Sequence, residues 1–314
     1  MPRMYKIVIG HPLDETWKEW FDGLTLKSRA DNTTLLTGIL EDSTALHTVL
    51  NKIRNLNMDL VSVSYTDVVK ATMKQSNTQK PWLMLLIRSL LFLAFQALVA
   101  LAFLLLGSSD AWTASAGWWP FAVIFTDLAC LALLIHFYRE EGKRFWDFFR
   151  FERQFIKQDL LFLLGFLVIA GPLGYLPNIL SARWLFGNPQ VALDLLVRPL
   201  PVWAAIVSFA LFPLLQGLVE IPTYMLYAMP RLEAQGLRPW LAVSLASFFL
   251  SAQHMFAPFL PDSRFIIYRL VMFLPFAILI TLVMRARPRL MPYMAVIHAL
   301  MDLSVAVMFL MNMQ

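Results

Sequence analysis

Four ionisable residues of this 314-residue chain lie in otherwise apolar runs: Glu220 in LLQGLVEIPTYML, His254 in ASFFLSAQHMF, and His298 with Asp302 in AVIHALMDLS. An ionisable side chain inside an apolar membrane helix costs several kcal/mol unless it has a partner or a wet cavity. His298 and Asp302 are four residues apart, so on a helix they share a face and can hold one ligand or one another. A Glu can serve as general base toward water, with imidazoles as proton partners or oxyanion donors. Two His with two carboxylates also match the donor set of zinc or another divalent ion.

The elements that must carry these groups are membrane helices. The chain is 59% hydrophobic and 15% charged, against about 45–50% and about 25% in soluble domains. Seven apolar runs approach the roughly 20 residues that a bilayer core requires: Trp82 to Leu106, Trp118 to Tyr138, Leu160 to Leu180, Val202 to Ala228, Trp240 to Leu260, Phe265 to Met284 and Met291 to Met311. Basic residues concentrate in alternate loops, Arg139 to Gln158, Arg231 to Arg238 and Arg285 to Arg289. That bias predicts a cytoplasmic N-terminus and an external C-terminus in a multi-pass plasma-membrane protein. It also accounts for the net charge of +5 without nucleic acid. The single cysteine, Cys130, allows neither an intrachain disulfide nor a thiolate zinc site.

Residues 1–66 read as a small soluble α+β domain, with strands at Tyr5 to Ile9, Leu24 to Lys27, Thr34 to Leu40 and Leu60 to Tyr65. Helical spacing at Leu13 to Phe21, and a second helix capped by Asp42 or Ser43, give the order βαββαβ of a ferredoxin-like sandwich. Its wording is similar to small bacterial proteins of unassigned function. Residues 67–80 read as a basic linker, and residues 81–314 as the polytopic membrane domain. The aromatic and cationic stretch GKRFWDFFRFERQFIK suits a helix in the cytoplasmic headgroup region. Ser181 to Pro201 suits an external re-entrant or interfacial piece. Asp127 is expected at a helix contact or cavity and His136 at the interface. Arg88 and Arg269 lie near span ends and are expected to snorkel.

The stretch EIPTYMLYAMPRL, Glu220 to Leu232, resembles the first motif of the CPBP family of intramembrane proteases, which includes CAAX prenyl endopeptidases and proteins linked to bacteriocin processing. Glu220 matches the first Glu, Pro222 the Pro, Tyr224 and Tyr227 the aromatics, and Pro230-Arg231-Leu232 the closing PRL. Leu250 to His254 is similar to the second motif, FxxxH, and His298 to Asp302 to the third, HxxxN or HxxxD. Ile221 stands where the motif has a second Glu, Met225 where it has Arg, and Leu250 where it has Phe.

The resemblance implies an intramembrane endopeptidase. Glu220 and His254 would activate water, and His298 would support the oxyanion with Asp302 donating to it or orienting His298. It also admits a metal-dependent enzyme in which Glu220, His254, His298 and Asp302 are ligands. The partners implied are a membrane-embedded or lipid-modified peptide substrate and, for the N-terminal domain, a cytoplasmic partner. A catalytically inactive scaffold derived from the same fold, and a proton-relaying transporter, are the other readings.

Depth is a test of the set. At about 1.5 Å per residue, Glu220 lies about 15 Å in from Pro230, His298 about 12 Å in from Leu290, and His254 about 22 Å in from Pro239. Glu220 and His298 therefore sit at one level. His254 reaches it only if its helix starts in the headgroups or tilts.

Overall fold

The computed structural model describes residues 3–21, 23–67 and 79–314, and the chain divides into two compact units, Met1–Ser76 and Asn77–Gln314. The basic linker falls almost wholly outside the described residues.

In the first unit, β1 (Arg3–Ile9), β2 (Thr25–Ser28), β3 (Thr34–Leu40) and β4 (Leu60–Asp67) form one antiparallel sheet in the order β2-β3-β1-β4. Alternation along β1 sends Tyr5, Ile7 and Ile9 inward, where they meet Leu36, Leu40, Val49 and Ile53. Helix α1 (Ser43–Asn55) begins at Asp42, whose carboxylate accepts from the Ala45 amide at 2.8 Å. The first expected helix is a 3-10 segment, Glu15–Phe21. It is too short for regular α-helical hydrogen bonding to accumulate, and is held by the burial of Phe21.

The second unit is helical. It comprises α2 (Lys80–Leu105), α3 (Ala111–Ala116), α4 (Trp119–Glu140), α5 (Ile156–Phe186), α6 (Pro189–Leu196), α7 (Val202–Ile221), α8 (Met229–Ala234), α9 (Pro239–Ala252), α10 (Ser263–Ala286) and α11 (Met291–Met311). Among the described residues, six helical segments are long and apolar enough to cross a membrane. The run Trp240 to Leu260 is not one of them, because α9 has 14 residues and passes into a 3-10 turn at Gln253–Phe256. Even so, this stretch travels far. It starts beside α8, and the Phe259 carbonyl accepts from Gln96 and Trp112, beyond the middle of α2.

Two more expectations change. The aromatic and cationic stretch is not a continuous helix but two 3-10 turns, Phe145–Phe149 and Arg153–Phe155, ahead of α5. Its composition favours an interface without specifying a conformation. Helix α5 then runs through Pro172 and Pro177 to Phe186, past the expected end at Leu180. Proline is tolerated more readily in membrane helices than in soluble ones; past the second proline, Ser181 Oγ donates back to the Pro177 carbonyl at 2.5 Å.

Helices α7 and α11 make the most extensive pairing in the bundle. Gly217 permits it, since a Cβ there would lie 2.5 Å from the Ala295 carbonyl oxygen. This close approach brings the face of α11 that bears His298 onto the face of α7 that bears Glu220.

Candidate active site

Gln216 and Glu220 are one turn apart on α7 and both are buried. Directly after Ile221 the helix widens into a π-helical segment, Pro222–Ala228, before resuming as α8. Pro222 brings no N–H to the ladder, so regular α-helical bonding is already interrupted there. Thr223 Oγ1 donates to the Val219 carbonyl at 2.7 Å. Tyr224, fully buried, donates its hydroxyl to Gln253 Oε1 at 3.1 Å.

The 3-10 turn after α9 presents Gln253 and His254. His254 Nδ1 lies 2.9 Å from the Leu250 carbonyl. A carbonyl can only accept, so Nδ1 carries a proton, and Nε2 lies 3.8 Å from Glu220 Oε1. The ring stacks on Phe273 at 3.7 Å. Arg269 of α10 fixes the turn from outside, donating to the His254 carbonyl at 2.9 Å and the Ala257 carbonyl at 2.7 Å. On α11, His298 Nε2 lies 3.1 Å from Glu220 Oε2 and 3.2 Å from Asp302 Oδ2. His298 Nδ1 is buried without a hydrogen-bond partner.

All four residues singled out in the sequence therefore converge. The apparent depth mismatch of His254 is closed. A cavity of about 630 Å³ adjoins them, lined by Glu220, Gln253, His254, His298 and Asp302 on one side. The remaining walls are mostly apolar, from α5, α6, α10 and α11, with Asn178 and Gln190 among them. A mostly apolar pocket with a few converging polar groups is the usual form of a ligand site.

Arg88 and Arg269 do not snorkel: both are buried. Arg88 pairs with Asp127 through Nη1 and Oδ1, donates from Nε to Gln253 Oε1 at 2.5 Å and from Nη2 to Gln216 Oε1 at 2.5 Å. The ion pair satisfies a charge that a lipid-facing Arg would have had to carry to the headgroups. Asp127 thus belongs to a helix contact, as expected, and His136 is largely exposed 3.4 Å from Glu140. Both amides continue inward. Gln253 Nε2 donates to Glu220 Oε1 at 2.5 Å and Gln216 Nε2 to the same oxygen at 3.5 Å. Sequence reasoning missed Gln216 and Gln253. The available signal was their position, one helical turn before Glu220 and immediately before His254.

Among the described residues, no group of three or more His, Cys, Asp or Glu is arranged to hold a metal ion. The side chains meet one another pairwise, and the Arg88 guanidinium lies 3.9 Å from Glu220 Oε1. What the arrangement can do is acid–base chemistry: a carboxylate with one oxygen anchored and the other against an imidazole, and a second imidazole opposite.

A family profile described as a domain of unknown function (DUF8691) matches residues 4–64, which lie in the small α+β unit. No curated protein and no solved structure matches the chain.

Proposed function

We propose that the membrane unit is an intramembrane endopeptidase of the CPBP, or CAAX-protease, type. The observation that carries this reading is the convergence of Glu220, His254, His298 and Asp302, from three separate segments, on one cavity. Glu220 takes a proton from water as its oxygen adds to the scissile carbonyl carbon. His298 donates to the oxyanion that forms, and Asp302 orients the imidazole. The C–N bond then breaks, with the proton delivered from Glu220 to the leaving nitrogen and His254 as the neighbouring proton partner. A membrane-embedded or lipid-modified peptide is the substrate class that suits a site at this depth with apolar walls.

Several finer readings accompany this one. The α9 stretch counts as a seventh passage, supported by its reach from α8 to the Phe259 contacts with Gln96 and Trp112. Seven passages with the loop charge bias give a plasma-membrane protein with a cytoplasmic N-terminus and an external C-terminus. The strand order β2-β3-β1-β4 supports a ferredoxin-like N-terminal unit, which would dock a cytoplasmic partner. Against catalysis stand Ile221 and Met225, whose apolar side chains favour an inactive scaffold built on the same fold.

The test is cleavage of a membrane-peptide library by detergent-purified protein, wild type beside Glu220→Ala and His298→Ala, with and without a chelator. The expected result is cleavage by wild type alone. Wild-type rates in both variants, or no cleavage by folded wild type over a broad library, would overturn the reading in favour of the scaffold. Chelator sensitivity would assign Glu220, His254, His298 and Asp302 as ligands of a divalent ion such as zinc.

A further inference from the structure

We infer that Arg88 is a positioning residue that fixes Glu220 through the side-chain amides of Gln253 and Gln216. A guanidinium has five N–H donors and no acceptor. Whatever faces it at hydrogen-bonding distance must be an oxygen. Nε meets Gln253 and Nη2 meets Gln216, each at 2.5 Å, so both amides turn their oxygens to Arg88 and their NH₂ groups the other way. The other way is Glu220 Oε1, 2.5 Å from Gln253 Nε2 and 3.5 Å from Gln216 Nε2. Tyr224 also donates to the Gln253 oxygen, at 3.1 Å; a hydroxyl can accept as well as donate, so the polarity is set by Arg88.

Without a donor-only group at this point only Glu220 itself biases the two amides, and an amide that flips presents its oxygen to the carboxylate. With Arg88 present the two oxygens of Glu220 become unequal: Oε1 is anchored and Oε2 is left facing His298 Nε2 at 3.1 Å. Asp127 balances the buried charge but does not reach Glu220's amide partners. Arg88 therefore acts beyond the ion pair.

The competing explanation is that Arg88 only satisfies Asp127. Replacing both, Arg88→Met with Asp127→Leu, removes the pair without stranding a charge. The deciding readout is the infrared carboxylate band of Glu220, isolated as the difference between each protein and the same protein carrying Glu220→Gln. The double variant is expected to shift that band, and Arg88→Lys, which keeps donors at the site, to restore it. If the double variant does not fold, Arg88→Gln with Asp127→Asn, a neutral polar pair that is no longer donor-only, must produce the shift. An unmoved band in the folded variant overturns the inference, whether or not the protein cleaves peptides. Only the kinetic arm rests on the endopeptidase reading: kcat is expected to fall about 100-fold at unchanged KM, the scale of a misplaced catalytic group. If Glu220→Ala cleaves like wild type, that reading has failed and the band alone decides on Arg88. If Glu220→Ala is inactive while the double variant is fully active, Arg88 is structural.

Discussion

Three guanidinium groups are buried among the described residues of the membrane unit; Arg269 is held by backbone carbonyls, and the other two each have a carboxylate: Arg88 with Asp127, and Arg231 with Glu141. Arg231 is closed on itself. It grips both oxygens of Glu141, donates to the Leu226 and Tyr227 carbonyls at 3.2 and 2.8 Å, and packs over the Tyr227 ring at 3.7 Å. None of these partners leads toward the cavity. Arg88 spends two of its three hydrogen bonds on amides whose other ends reach Glu220. Ion pairing explains why the Arg88 and Arg231 charges are tolerated inside the bundle. What the partners do with their remaining atoms separates a structural lock from a site.

That contrast can be broken most directly at Glu220. Glu220→Gln keeps the volume and is expected to lower single-turnover cleavage by about 10²–10⁴-fold, with a melting temperature close to wild type. Cleavage at the wild-type rate would remove the distinction. Arg231→Met does the opposite. It strands Glu141, costs about 3–5 kcal/mol in reversible unfolding, and leaves cleavage per folded molecule near normal. If it silences the folded enzyme as Glu220→Gln does, the two centres are not separate. Gly217→Ala sharpens the comparison, because a methyl 2.5 Å from the Ala295 carbonyl must push α11 from α7. It should cost about 1–3 kcal/mol and also slow cleavage, which a midpoint shift with unchanged kinetics would contradict.

The smallest effect is expected far from both centres. Asp262 caps α10, accepting from the Arg264 amide at 2.8 Å, and Asp262→Ala should cost about 1 kcal/mol without touching cleavage. The Arg264 side-chain hydrogen bond foremost, with the backbone amides it accepts, holds the Asp262 carboxyl below its usual range. A folded-state pKa below the unfolded one adds stability above the unfolded value and loses it as pH falls through the folded value. Acid melts of the variant should therefore show less loss over that window than wild type, and equal loss would refute the assignment.

The four central residues were legible because ionisable groups are conspicuous in apolar runs, and His298 with Asp302 carried helical spacing as well. Gln216 and Gln253 were not, since an amide costs less to bury and is rarer as a signal of chemistry. Arg88 and Asp127 were each visible, but their pairing depends on how α2 meets α4, which no local pattern encodes. Nearness to a span end read as snorkelling, when the partner lay across the bundle. Hydropathy likewise marked Trp240 to Leu260 as one apolar run and was blind to where the helix within it stops. In the small unit, alternation gave the strands and Asp42 gave the cap of α1. The segment from Glu15 to Phe21 carried helical spacing over too few residues to distinguish an α-helix from a 3-10 turn.

The π-helical segment between Glu220 and Arg231 acts as a phase shifter. Each residue of an α-helix advances about 100° around the axis, and a stretch bonded i to i+5 accommodates a residue that α-helical pairing would place elsewhere. Everything beyond Ala228 is therefore rotated relative to Glu220 from where an unbroken helix would set it. The two ion-paired arginine centres are served by one continuous rod of chain whose halves face in independently set directions. Shortening the segment by a single residue would turn Arg231 away from Glu141 while leaving Glu220 pointed at His298.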